Sequence, residues 1–191
     1  MKNYTLLFLL ASISISSYAQ TYSTATKDET ENWILEKLRS NTPKSTSQPW
    51  GGGQGLVYIN YDYSFDDYNL IIKYETMHYK NKGGIGDGSA YHNPTKYKIV
   101  IPIYDIDRVY EQEVIMNESF LPKSSEPRFF IKTKKETIIE YNETSKTKRV
   151  TNKVTTDFNV KSETDICNRL NKAFIHLKQF YKRPSTSTEP F

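Results

Sequence analysis

Three histidines and one cysteine bound the metal and nucleophilic chemistry open to this chain. His78, His92 and His176 are far apart, and none stands at a zinc-ligand spacing from another histidine or from Cys167. His176 falls on the polar side of a helical pattern beside Lys172 and Lys178, where a solvated surface residue is expected. His92 is the most site-like of the three. The segment Tyr91-His92-Asn93-Pro94 follows a glycine-rich loop, and loops on rigid scaffolds carry function. Asp87 lies a few residues before it, so the pair offers the acid–base groups of a small hydrolase. Cys167 sits in a helical pattern beside its apolar stripe and reads as a packing residue. No G-x-S-x-G nucleophile elbow is present.

Other groups invite a site and have a simpler reading beside it. Gly83-Gly84-Ile85-Gly86-Asp87-Gly88 resembles a phosphate cradle, but that needs a strand before it and a helix opening from it. A strand pattern follows instead, which makes the run a hairpin connection. Asp66-Asp67 and Asp105-x-Asp107 offer paired carboxylates to calcium, each with too few oxygens alone. Turn formation explains the first pair and strand-end solvation the second. Lys132, Lys134, Lys135, Lys146, Lys148, Arg149 and Lys153 form a basic run that suits lysines guarding an exposed sheet edge. Trp50, between Pro49 and three glycines, offers a flat apolar face to a sugar ring or partner protein, or anchors its own loop. Trp50, Tyr91 and His92 are thus the candidate binding residues. No cofactor and no metal is expected.

The elements that must position these residues begin with an export signal. Lys2, the apolar run Leu6–Ile15 and Ser17-Tyr18-Ala19 form the three parts of a signal peptide over residues 1–19, with cleavage expected between Ala19 and Gln20. No cysteine near that point offers a lipid attachment, so the reading is a periplasmic or secreted protein, not a lipoprotein and not membrane-spanning. One cysteine excludes an internal disulfide, and the fold must rest on its core. A formal charge of +4 is too mild to argue for nucleic acid.

Residues 20–54 read as a short helix, Thr26–Ser40, followed by a polar loop, Asn41–Gln54. Thr26 and Glu29 form a capping-box pattern, and Trp33, Ile34 and Leu38 supply a narrow apolar stripe. Residues 55–183 read as a single β-rich domain. Val57, Ile59, Tyr61, Tyr63 and Phe65 alternate with Tyr58, Asn60, Asp62 and Ser64, and Tyr68–Tyr74 returns as the second arm of a hairpin. Strand patterns follow at Tyr97–Ile103, Val109–Met116, Arg128–Lys132, Thr137–Tyr141 and up to Val160, with Pro102 marking an edge or strand end. The last element is the clearest: Ile166, Leu170, Ala173, Phe174, Leu177, Phe180 and Tyr181 fall on one helical face, with a Ser162-x-x-Asp165 capping box ahead and Pro184 behind. Residues 184–191 read as a disordered tail.

The order helix, about seven strands, helix resembles the pleckstrin-homology-like (PH-like) superfold over Leu56–Lys182. Glu29-x-x-x-Trp33 and the stretch from Arg169 to Leu177 also resemble uncharacterised small secreted bacterial proteins. The first resemblance implies a bent antiparallel barrel closed at one end by the C-terminal helix. The basic first loop of its lipid-binding members is replaced here by Ser64-Phe65-Asp66-Asp67, so no headgroup site is implied. The expectation is an α+β fold: an antiparallel, roughly seven-stranded barrel or bent sheet, a short N-terminal helix and a capping C-terminal helix. The function expected is a non-catalytic periplasmic or secreted binding or interaction module for an envelope protein or glycan. A small secreted hydrolase at His92 is the alternative, and an outer-membrane barrel the third reading.

Overall fold

Thr26 starts the first helix by the reciprocal bonding its spacing predicts: its backbone N–H donates to Glu29 Oε2 at 2.7 Å and the Glu29 N–H donates to its hydroxyl at 3.3 Å. In this computed structural model, which describes residues 25–51, 54–80, 93–116 and 124–181, that helix is α1, Lys27–Asn41. The predicted signal peptide, the Gly83–Gly88 run with Asp87, Tyr91, His92 and the tail from Pro184 lie outside the described residues.

The strands among the described residues are β1 (Ser45–Gly51), β2 (Gln54–Asp66), β3 (Asn69–Lys80), β4 (Thr95–Pro102), β5 (Ile106–Met116), β6 (Ser124–Thr133), β7 (Ile138–Asn142), β8 (Thr147–Thr151) and β9 (Lys153–Thr156). Every pairing among these strands is antiparallel. They form a six-stranded sheet in the order β1-β2-β3-β4-β7-β8 and a three-stranded sheet in the order β5-β6-β9. The α+β class therefore holds, but the barrel does not: two sheets replace one closed wall. Asn152 separates β8 from β9, so one nearly continuous stretch pairs first with β7 and then with β6. This handover is why the predicted single last strand is two strands, and why Phe158 and Val160 are buried beyond the end of β9.

Two further expectations are corrected. The segment predicted as a polar loop contains β1, an edge strand on β2. An edge strand needs no apolar alternation, and Pro49 is tolerated there because an edge leaves N–H groups unused. Ser162 does not cap the last helix, α2, which runs Ile166–Leu177. Its N-cap is Asp165 in a left-handed conformation with no side-chain capping bond, and Ser162 instead donates to Asn41 Oδ1 and to the Asn159 carbonyl. The hydroxyl that matched a capping pattern ties two distant segments together instead.

The apolar stripe of α2 lies in the core, where Leu170, Phe174 and Leu177 are fully buried. Ile34 and Leu38 of α1, Leu70 and Ile72 of β3, Ile99 and Ile101 of β4, and Phe129 and Ile131 of β6 complete that cluster. Phe180, predicted in the same stripe, is exposed because the helix tightens into a 3-10 turn over Lys178–Phe180. At the helix–helix seam Glu163 receives Lys37 Nζ and Arg169 Nη1, each at 3.1 Å, while the Arg169 guanidinium stacks over Trp33. Asp105, expected at a solvated strand end, is buried in the turn Ile103–Asp105. Among the described residues no helix is long and apolar enough to cross a membrane.

Candidate functional site

The cleft between the two sheets is built on a single extra residue in β2. Ile59 faces Glu75 but Asp62 faces Lys73, so three steps on β2 match two on β3. Asn60 takes up the excess with φ of 55°, a left-handed geometry that Asn tolerates better than most residues, and its amide donates to Glu75 at 2.9 Å. The bulge reverses which residues face inward. Strict alternation places Tyr58 opposite Tyr61 and Tyr63. In the structure, Tyr58 pairs with Thr76 and Tyr63 with Ile72, and Thr76, Tyr74 and Ile72 share one face of β3. Tyr58, Tyr61, Tyr63 and Tyr74 therefore stand on one surface, joined by Tyr97 across from Tyr74.

These rings form a ladder. Tyr74 stacks on Tyr97 at 5.0 Å and on Tyr61 at 5.3 Å, Tyr61 on Tyr63 at 6.3 Å, and Tyr58 tilts against Tyr74 at 6.1 Å. Of these rings, Tyr58, Tyr61 and Tyr74 line the cleft. Tyr61 donates to Asp157 Oδ2 at 2.8 Å, and Thr46 of β1 donates to the same oxygen at 2.5 Å. Tyr58 donates to Gln48 Oε1 at 3.1 Å. The geometry of Gln48 depends on Gly55, where a Cβ would come within 2.5 Å of the Gln48 carbonyl oxygen. Edge strand, bulged strand and the Asp157 segment thus meet at one carboxylate.

The resulting cleft has a volume of about 630 Å³, within the usual range of small-molecule sites. Besides the tyrosines, Thr46 and Gln48, its lining includes Pro127, Arg128, Phe158, Val160 and Lys161. Thr156 also lines it, with its hydroxyl buried beside that of Tyr63. Burial pushes the phenols of Tyr58, Tyr61 and Tyr74 up from their ordinary value. The negative charge of Asp157 adds to this at Tyr58 and Tyr61, and that of Glu140 at Tyr74. Burial raises Tyr63 to about 12 against the opposing hydrogen bond with Thr42. At neutral pH the ladder therefore presents protonated hydroxyls beside an acceptor carboxylate.

The residues singled out by sequence fall elsewhere or outside view. Trp50 has its backbone in β1, two residues beyond Gln48, while its side chain lies outside the described residues. Tyr91 and His92 lie outside them as well. His176 is not a free surface residue: it is half-buried, its Nε2 is 2.9 Å from the Ala25 carbonyl oxygen, and its ring meets Phe180 edge-on. Cys167 is buried in α2, where burial and then the charges of Glu111 and Asp165 push its thiol up to about 12, the setting of an inert packing residue. No group of His, Cys, Asp and Glu suited to a metal occurs among the described residues. The tyrosine cleft was missed because Tyr58 and Tyr61 separate under perfect alternation. The only signal was the abundance of tyrosine, 15 residues in the chain.

Compared with protein-family models, with curated proteins and with solved structures, the chain matches none.

Proposed function

We propose that this protein, after cleavage between Ala19 and Gln20, acts in the periplasm or outside the cell as a non-catalytic binding module, with the tyrosine-walled cleft as its ligand site. The observation that carries the reading is the convergence of Tyr58, Tyr61 and Tyr74 with Gln48, Thr46 and Asp157 on one opening. These groups bond to one another and keep acceptor capacity beyond those bonds, which a ligand in the cleft can use. The export signal supports the location, and the protonated phenols support hydrogen-bond donation over proton transfer near neutral pH.

The test is retention of the mature protein on an envelope extract, comparing wild type with the paired variant Gln48→Ala and Asp157→Asn. Both changes are confined to the cleft wall, and Asn keeps an acceptor for Thr46 and Tyr61. At least a tenfold loss of retention, with unchanged circular dichroism, is expected. Equal retention of a folded variant overturns the assignment of the cleft.

A further inference from the structure

The side of β3 and β4 opposite the tyrosine ladder carries a row of lysines. Lys73 and Lys98 alternate with Tyr74 and Tyr97 along their strands, so they stand on the other face of the six-stranded sheet. Lys73 pairs directly with Lys98, Lys98 with Tyr141 of β7, and Tyr141 with Lys148 of β8. The row thus crosses four strands. Guarding an edge explains Lys148, because β8 ends the sheet. It does not explain Lys73 or Lys98, which lie on interior strands. Like charges directly opposite each other weaken a sheet. Among the described residues, Lys73, Lys98, Lys148 and nearby Lys146 form no ion pair that would offset this. The fold keeps an uncompensated positive row where neutral polar residues would pair better.

The row leads into a concavity. The turn from β7 to β8 is tied to β4: the Glu143 N–H donates to the Lys96 carbonyl at 2.8 Å, and the Lys96 N–H donates to the Thr144 hydroxyl at 3.0 Å. Within the turn, Asn142 Oδ1 accepts from the N–H groups of Thr144 and Ser145, and Lys146 closes it with φ of 57°. The hollow bounded by this turn and the sheet face has a volume of about 650 Å³. Lys96, Lys98 and Lys146 line it together with Tyr141, and Glu143 is the one acid among its described lining residues. Lys96 has Glu75 at 3.9 Å, which leaves Lys98 and Lys146 without a counter-charge.

Charge selects an anion for this face, and shape narrows its form. A lipid surface is poorly matched, because in the adjoining row Ile71 is buried and Val100 and Ile139 are half-buried, leaving only Val150 exposed to enter a bilayer. Backbone groups of interior strands are paired within the ladder, so a ligand here meets side chains alone: ammonium groups that only donate, and the ring of Tyr141. The N–H groups of a peptide find few acceptors in that company. Anionic oxygens and hydroxyls accept from the lysines, and the C–H face of a sugar ring covers the aromatic one.

We propose that this face of the sheet binds an anionic polysaccharide, its carboxylate or phosphate groups on Lys98, Lys146 and Lys148 and a sugar ring on Tyr141. The surface is separate from the tyrosine cleft and does not depend on a ligand there.

The experiment is calorimetric binding of the mature protein to polygalacturonate and to a phosphomannan, which tells carboxylate from phosphate, with anionic phospholipid vesicles, polyglutamate and duplex DNA as comparison arms. Lys98→Gln with Lys148→Gln is expected to weaken binding of at least one polysaccharide at least tenfold. Raising the salt from about 0.01 to about 1 M, which cuts the screening length from about 30 to about 3 Å, should do the same. Removing Lys98 relieves Lys73, so the melting temperature should not fall. Lys146→Gln, in an exposed turn, repeats the test without altering a strand. The charge-matched pair Lys134→Gln with Lys135→Gln, outside the row, should bind within about twofold of wild type. Equal loss in the two pairs means that net charge alone attracts the polymer and overturns the proposal, as does the absence of binding to either polysaccharide at low salt. Tighter binding to vesicles, polyglutamate or DNA than to either polysaccharide overturns it as well. Gln48→Ala with Asp157→Asn should leave polysaccharide binding unchanged, and a loss there would move the site to the cleft and overturn the assignment to this face.

Discussion

Removing the Asp157 carboxylate tests whether the cleft and the β1 edge are held by one group. Asp157→Ala takes the acceptor from two hydroxyls at once, Tyr61 at 2.8 Å and Thr46 at 2.5 Å. A hydrogen bond to a charged group contributes about 1.5 to 3 kcal/mol, and a donor left unpaired in a mostly buried place costs about 1 to 3 kcal/mol. Tyr61 is the member that suffers, since it is packed between Tyr63 and Tyr74, while Thr46 on the edge strand regains water. The expected loss is about 2 to 4 kcal/mol, a large share of the about 5 to 15 kcal/mol that holds a domain together. Tyr61→Phe alone deletes the donor and leaves Asp157 with Thr46 and solvent, costing about 1 to 2 kcal/mol. In the double variant the orphaned phenol is gone, so the two losses do not add. Urea denaturation of the four proteins should give a coupling of about 1 to 2 kcal/mol. Simple additivity, with coupling below about 0.5 kcal/mol, refutes the claim that this bond joins the sheet to the Asp157 segment.

Phe174 is fully buried in the core, so Phe174→Ala should cost about 3 to 5 kcal/mol in urea denaturation; a loss under about 1 kcal/mol would mean that this face of the helix is not core. At the bulge, φ of 55° makes Asn60→Val strained by about 1 to 2 kcal/mol, whereas Asn60→Gly should stay within about 1 kcal/mol of wild type. Equal losses for the two would remove the left-handed argument. Tyr61, Tyr63 and Tyr74 hold their protons more tightly in the fold than the ordinary value of 10.0. The unfolded chain therefore releases phenolic protons first: stability is whole below about pH 10 and falls above it, by about 1.4 kcal/mol per pH unit for each phenol still protonated in the fold. Urea midpoints that stay level from pH 9.5 to 11.5, roughly the window this linkage sets, would contradict the buried ladder.

Local signals were legible where a short stretch settles its own structure. The Thr26–Glu29 box closes within one helical turn, and the stripe of α2 repeats every three or four residues, so both were readable without the rest of the chain. Asp67, with φ of 50°, forms the tight turn that the hairpin between β2 and β3 needed. The same local logic failed at Ser162, because its hydroxyl is used by Asn41, more than a hundred positions away in sequence. It failed at β1 because an edge strand is specified by the neighbour it pairs with, not by its own alternation.

What the sequence determined by itself was therefore the elements with their own periodicity or caps: the two helices, the β2–β3 hairpin, and the residues that had to be buried. Tertiary structure alone decided which tyrosines share a face, because one left-handed residue at Asn60 reverses the inward direction of everything on one side of it. It alone placed Asp157 under Thr46 and Tyr61, since hydrogen bonds spanning 111 and 96 positions leave no trace in local spacing. Periodicity reports how a segment meets a surface; only the packed sheets decide which segments share one.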